Sequence, residues 1–168
     1  MKESKAYSIF KNNLEQNHSL SIIYELYKDL NNLYNLKNML RAELTLNVSC
    51  FDTYFHDIIS EMTNNDKLPI SLKHTTFQCS KSIQEAANYL EIPNIWERLS
   101  NEWAKSEEEC KLMLDEIIKR RNEIVHESDI NKESGEKNDI SIDYVKESTD
   151  YLRCIVSMID AWVMYDIK

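Results

Sequence analysis

Arg121, Asn122 and His126 lie within one short run, Lys119-Arg120-Arg121-Asn122-Glu123-Ile124-Val125-His126. A guanidinium offers five donors that can grip phosphate or carboxylate oxygens in pairs, and an imidazole exchanges protons near neutral pH. The amide of Asn122 can orient either group. Together these residue types suit phosphate binding combined with proton transfer, chemistry that needs no metal ion. The chain carries 168 residues, one glycine and four widely spaced cysteines, so it has no glycine-rich phosphate loop and no Cys-x-x-Cys pair. Triphosphate chemistry by a P-loop is thereby excluded. Asp52 and His56 form an i,i+4 pair beside Asp57, yet two dispersed ligands lack the third that a catalytic zinc needs, so a hydrogen-bonding role is expected and no metal or cofactor.

The element that must position these groups is a helix. At roughly 100° per residue, Leu114, Ile117, Ile118, Ile124 and Val125 fall within an arc about 120° wide, and Arg121 lands inside it. A permanent charge thus stands where a core side chain is expected, and burying it costs several kcal/mol unless oxygens face it. Asp52 or Glu43, on the long helix upstream, is the expected structural partner if Arg121 is an ordinary core arginine. Asn122 and His126 sit together on the flank of the stripe. Arg120 projects away from the stripe centre on the side opposite Asn122, and with Lys119 forms a solvated pair suited to steering phosphate. Ser106-Glu107-Glu108-Glu109 starts this helix, with acids that complement its positive end.

Scarce Gly and Pro, abundant Leu, Lys, Glu, Ile and Asn, and helical spacing throughout predict an all-α fold in a single domain. The spacing predicts a short docking helix over 4–15, a second to about Asn35, a long central helix from Leu36 to Met62, and a connecting loop over 67–80. It then predicts a helix over 82–90, another over 94–103, the helix just described, and a long closing helix over 140–165. Asp129 to Asn138 is polar, contains Gly135, and reads as the most flexible loop of the chain. The tyrosines at helical spacing, Tyr24, Tyr27, Tyr34, Tyr54, Tyr144 and Tyr151, read as packing groups. A formal net charge of -9 argues against a protein that coats nucleic acid with a basic surface, so any RNA contact has to be local. With no leader-like apolar run and no span of roughly 18 apolar residues, a reduced, cytoplasmic protein without a membrane partner is expected.

Arg121 through His126, an arginine, a polar residue, three more residues and a histidine near a helix end, resembles the motif of the HEPN domain family. Leu40-Arg41-Ala42 leading through Phe51-Asp52-Thr53-Tyr54-Phe55 is similar to the long helix of the HEPN branch associated with RiboL-PSP proteins. The resemblance covers roughly residues 36–165, with residues 1–35 as a family-variable N-terminal helical extension. It implies a helical bundle that forms a homodimer around the motif helices, two motifs sharing one composite cleft. It also implies a metal-independent endoribonuclease, a toxin or phage-defence effector partnered by an antitoxin or another defence protein. The residues suit that chemistry on independent grounds. RNA cleavage without a metal requires deprotonating the 2′-hydroxyl, stabilising charge at phosphorus, and protonating the departing 5′-oxygen. His126 is the expected proton-transfer group and Arg121 the phosphate ligand, with Asn122 orienting one of them and Lys119 and Arg120 in RNA-binding roles. The competing expectation is a non-catalytic HEPN-like module that binds a partner protein or a nucleotide, with Arg121 serving the interface.

Overall fold

The computed structural model describes residues 3–29, 36–63, 72 and 75–165. Among these residues the chain is all helical: α1 (Lys5–Asn17), α2 (Ser19–Tyr27), α3 (Lys37–Met62), α4 (Ser80–Tyr89), α5 (Ile95–Trp103), α6 (Glu107–His126) and α7 (Ile142–Tyr165). Among the described residues the one β feature is an isolated antiparallel bridge between Ile130 and Lys137. No helix among the described residues is long and apolar enough to cross a membrane.

The bundle is organised on α3. Leu40, Leu44, Val48, Phe51, Tyr54, Phe55, Ile58 and Ile59 are buried along its whole length, so it has apolar contact on several sides, and it packs against α1, α2, α4, α6 and α7. The N-terminal helix is part of the same core. Ala6, Phe10 and Leu14 of α1 are buried, and the Phe10 ring lies 5.9 Å from that of Tyr54. Asn47, fully buried on α3, accepts from Asn17 at 3.0 Å and donates to Thr149 of α7 at 2.8 Å, linking three helices through satisfied polar groups. The start of α1 is held from outside itself. Ser4 caps it and bonds the buried Asp160 of α7, while the carboxylate of Glu61 accepts from the Lys5 and Ala6 amides at 3.0 and 2.9 Å. Orphan amides of a first helical turn are met here by acids from two other helices.

α2 follows α1 after His18 alone, whose backbone stays right-handed, so the two helices meet at a single-residue junction. The last part of the expected second helix, Tyr34 included, and residues 67–71, 73 and 74 of the expected loop over 67–80 lie outside the described residues. α6 begins with a full capping box: Ser106 accepts from the Glu109 amide at 3.2 Å and Glu109 accepts from the Ser106 amide at 2.7 Å. Leu114, Ile117 and Ile118 bury against the core and Ile124 is half-buried. Val125, expected on the same buried stripe, is 45% exposed, because the helix end runs past the edge of the core.

Candidate functional site

Arg121 sits on α6 half-buried, and among the described residues no carboxylate pairs with it. Its Nη1 donates to Asn122 Oδ1 at 3.0 Å and to Gln78 Oε1 at 3.4 Å, and its Nε is buried without a partner. The expected direct partners are engaged elsewhere. Glu43 accepts from the backbone and hydroxyl of Ser21, with His18 Nδ1 3.6 Å away, near the α1–α2 junction. Asp52 accepts from the Phe77 amide through Oδ1 and from Gln78 Nε2 at 3.4 Å through Oδ2. Asp52 therefore reaches Arg121 only through the amide of Gln78. His56, the i,i+4 neighbour of Asp52, meets the Phe77 ring edge-on at 4.7 Å. Gln78 and Phe77 belong to a segment with no helical periodicity, and no sequence signal marked them.

Asn122 thus touches Arg121 directly, as an acceptor that orients the guanidinium. His126 is exposed in the last turn of α6. Five residues on a helix separate it from Arg121 by about 140° round the axis and roughly 7.5 Å along it. The two groups share one helix end but lie on different sides of it.

Arg120 is not a free phosphate-steering group. It grips Asp129 with Nη1 and Nη2 and donates to the Asp139 carbonyl at 3.0 Å. Arg41 of α3 takes the same carboxylate through Nε and reaches the Asn138 carbonyl through Nη2. Asp129 is only 1% exposed, so one buried carboxylate joins two arginines, with Glu123 a further 3.5 Å from Arg120. Lys119 is exposed, with Glu123 3.9 Å away. Lys119 and Arg120 line a groove with Glu116, Glu123, Asp139 and Tyr144 rather than with Gln78 and Arg121. The expected basic patch is thereby split: consecutive arginines 100° apart on the helix serve different surroundings.

The loop after α6, expected to be flexible, is tied at both ends. Ser128 and Asp129 both take left-handed φ values, 56° and 59°, which turn the chain so that the Asp129 carboxylate points back under α6. Asn138 N donates to Asp129 O at 2.8 Å, Asn131 N to Glu136 O at 2.7 Å, and Asn131 Oδ1 accepts from the Glu133 and Ser134 amides. Gly135 supplies the positive φ of 72° that closes the tip. Beside this loop, Ala42, Thr45 and Leu46 of α3, Ile124 of α6, and Ser128 and Lys137 line an open, mainly apolar recess; Leu46 is 44% exposed.

Among the described residues no three His, Cys, Asp or Glu side chains group as metal ligands. No protein-family model matches the chain, and no curated protein or solved structure matches it either. What the fold defines is an all-helical bundle whose polar candidate site lies at the end of α6.

Proposed function

We propose that the protein is a HEPN-type, metal-independent endoribonuclease that works as a homodimer and cleaves RNA by transesterification to a 2′,3′-cyclic phosphate, in a toxin or phage-defence role. The observation that carries this reading is Arg121, a half-buried guanidinium with no carboxylate partner among the described residues, on the same helix end as an open imidazole. A charge kept partly desolvated and unneutralised binds an anion more strongly than a paired one, because its donors do not have to be released first. Arg121 would hold the scissile phosphate and offset the charge that develops on its oxygens. His126 would move protons. Because about 140° of helix separates it from Arg121, the imidazole that serves a given phosphate is assigned to the second copy. The open recess at Leu46 and Ile124, with exposed Val125 beside it, supports an interface next to the motif.

The test is direct. Purified protein should cut RNA in the presence of EDTA, and Arg121→Ala or His126→Ala should abolish cutting while the far-ultraviolet spectrum stays helical. Undiminished cutting in either variant would remove the proposal. A second reading, a non-catalytic module for a partner protein or nucleotide, is favoured by one observation: Arg120 is bound up with Asp129 and the net charge is -9, so little basic surface surrounds Arg121. A wild-type protein that is dimeric, folded and inert towards RNA would favour it.

A further inference from the structure

We infer that Gln78 is a positioning residue that keeps Asp52 off Arg121, so that the guanidinium remains a seat for a phosphate group. The inference rests on the reading of Arg121 as the phosphate ligand and concerns what makes that role available. Three groups lie in sequence across the face of α6: the Asp52 carboxylate on α3, the Gln78 amide, and the Arg121 guanidinium. Gln78 Nε2 donates to Asp52 Oδ2 and Gln78 Oε1 accepts from Arg121 Nη1, each at 3.4 Å. Only this orientation of the amide satisfies both neighbours, because a carboxylate can only accept and a guanidinium can only donate.

The arrangement has a clear electrostatic consequence. Were Asp52 in contact with Arg121, the pair would be a partly buried salt bridge, and an incoming phosphate would have to displace a charge-assisted bond. A neutral amide in between orients the arginine while leaving its net charge intact. The first Asp52 oxygen is meanwhile held by the Phe77 amide, which fixes the carboxylate on its own side. Asn122 repeats the device: it too presents a neutral oxygen to Nη1. Both described acceptors on Arg121 are therefore amides, and Nε is left buried and unbonded.

Gln78→Glu is the decisive variant, since it keeps size and reach while placing a carboxylate on Arg121. Inorganic phosphate is titrated against full-length protein, and the arginine side-chain Nε–H resonance of Arg121 is followed by NMR. The expected result is phosphate binding by wild type and by Gln16→Glu, an exposed control for the added charge on α1, with Gln78→Glu weakened about tenfold or more, equivalent to about 1.4 kcal/mol. Because Glu at position 78 would also face Asp52, the double variant Asp52→Asn with Gln78→Glu removes that repulsion, and it should stay as weak as the single one. Wild-type phosphate affinity in Gln78→Glu, or its recovery in the double variant, would overturn the inference, as would no phosphate binding by wild type. RNA cutting separates the two proposals. If wild type cuts RNA, Arg121→Ala does not, and Gln78→Glu cuts as well as wild type, the inference about Gln78 fails while the ribonuclease reading stands. If wild type cuts no RNA but phosphate binding is lost in Gln78→Glu, the ribonuclease reading fails and the phosphate seat stands.

Discussion

Replacing Asp129 by Asn should destabilise the protein more than any other single polar exchange near α6. Asp129 is 1% exposed and its two guanidinium partners, Arg41 and Arg120, are 8% and 15% exposed, so neither water nor salt can take over its role. Asn keeps one acceptor oxygen but turns two N–H donors towards groups that only donate. It also leaves two like charges facing each other without the carboxylate between them. Removing one partner from a buried ion pair costs about 3–5 kcal/mol, a large share of the roughly 5–15 kcal/mol that holds a domain together. At about 2–4 °C per kcal/mol for a chain of this size, the melting temperature should fall by about 6–20 °C. Asn is the right probe because Asp129 has a φ of 59°, a conformation that Asn tolerates and Ala does not, so the loss isolates the charge from backbone strain. Urea unfolding followed by circular dichroism measures it. A second exchange, Arg120→Met, should restore part of the loss, since one of the two uncompensated charges is then gone. A stability of Asp129→Asn within about 1 kcal/mol of wild type, well short of the expected loss, would refute the account of this network.

Two further outcomes follow from the same packing. Phe10→Ala should cost about 3–5 kcal/mol in urea unfolding, because the ring is 2% exposed against Tyr54; a loss under about 1 kcal/mol would mean that α1 is dispensable to the core. Asp160→Asn should alter pH dependence. Burial holds the Asp160 carboxyl above its ordinary value of 3.8, with Ser4 hydrogen bonds opposing the shift and Glu3 and Glu61 adding to it. A carboxyl whose pKa rises on folding favours the folded state while it is protonated, and that advantage is lost as pH rises through the folded value. Asn is neutral throughout and still accepts from Ser4, so in thermal melts the variant should gain on wild type between about pH 3 and pH 7; the opposite trend would overturn this assignment.

The helices were legible because burial in a bundle writes itself into 3.6-residue spacing, and α6 began where Ser106 and Glu109 announce a capping box. The odd charge in that stripe was legible too, and Arg121 does sit half-buried on the helix. Its surroundings were not. Gln78 comes from a stretch without periodicity and reaches α6 only through tertiary packing, so no spacing rule connects residues 78 and 121. Arg120 misled for a related reason. A helical wheel turns it away from the apolar stripe, but the wheel ends at His126, and the carboxylate that claims Arg120 is delivered by the left-handed pair Ser128 and Asp129 just beyond. Polar composition made residues 129–138 look free, whereas their polarity is spent on internal amide and carboxylate bonds. Position on a wheel predicts a direction; it does not say what another element brings to meet it.

Adjacent arginines on one helix thus present different net charge to a ligand. Arg120 is paired with the buried Asp129, which it shares with Arg41, and with Glu123, and it anchors the loop that follows His126, while Arg121 meets only neutral oxygens among the described residues. The difference marks Arg121, and not Arg120, as the anion seat in either functional reading. A module that uses Arg121 to hold a partner's carboxylate gains from keeping it apart from Asp52, since that carboxylate then has to outbid water and not a preformed salt bridge. A site for a phosphate gains in the same way, because an incoming anion competes poorly against a preformed salt bridge and well against an amide. Anchoring through Arg120 then has its own use: with the loop tied beneath α6 by Asp129, the last helical turn that carries His126 is held at both ends, which is what a proton-transfer group needs if its position relative to a bound phosphate is to be reproducible. Loss of cutting in Asp129→Asn at a temperature where the variant remains folded would support that link.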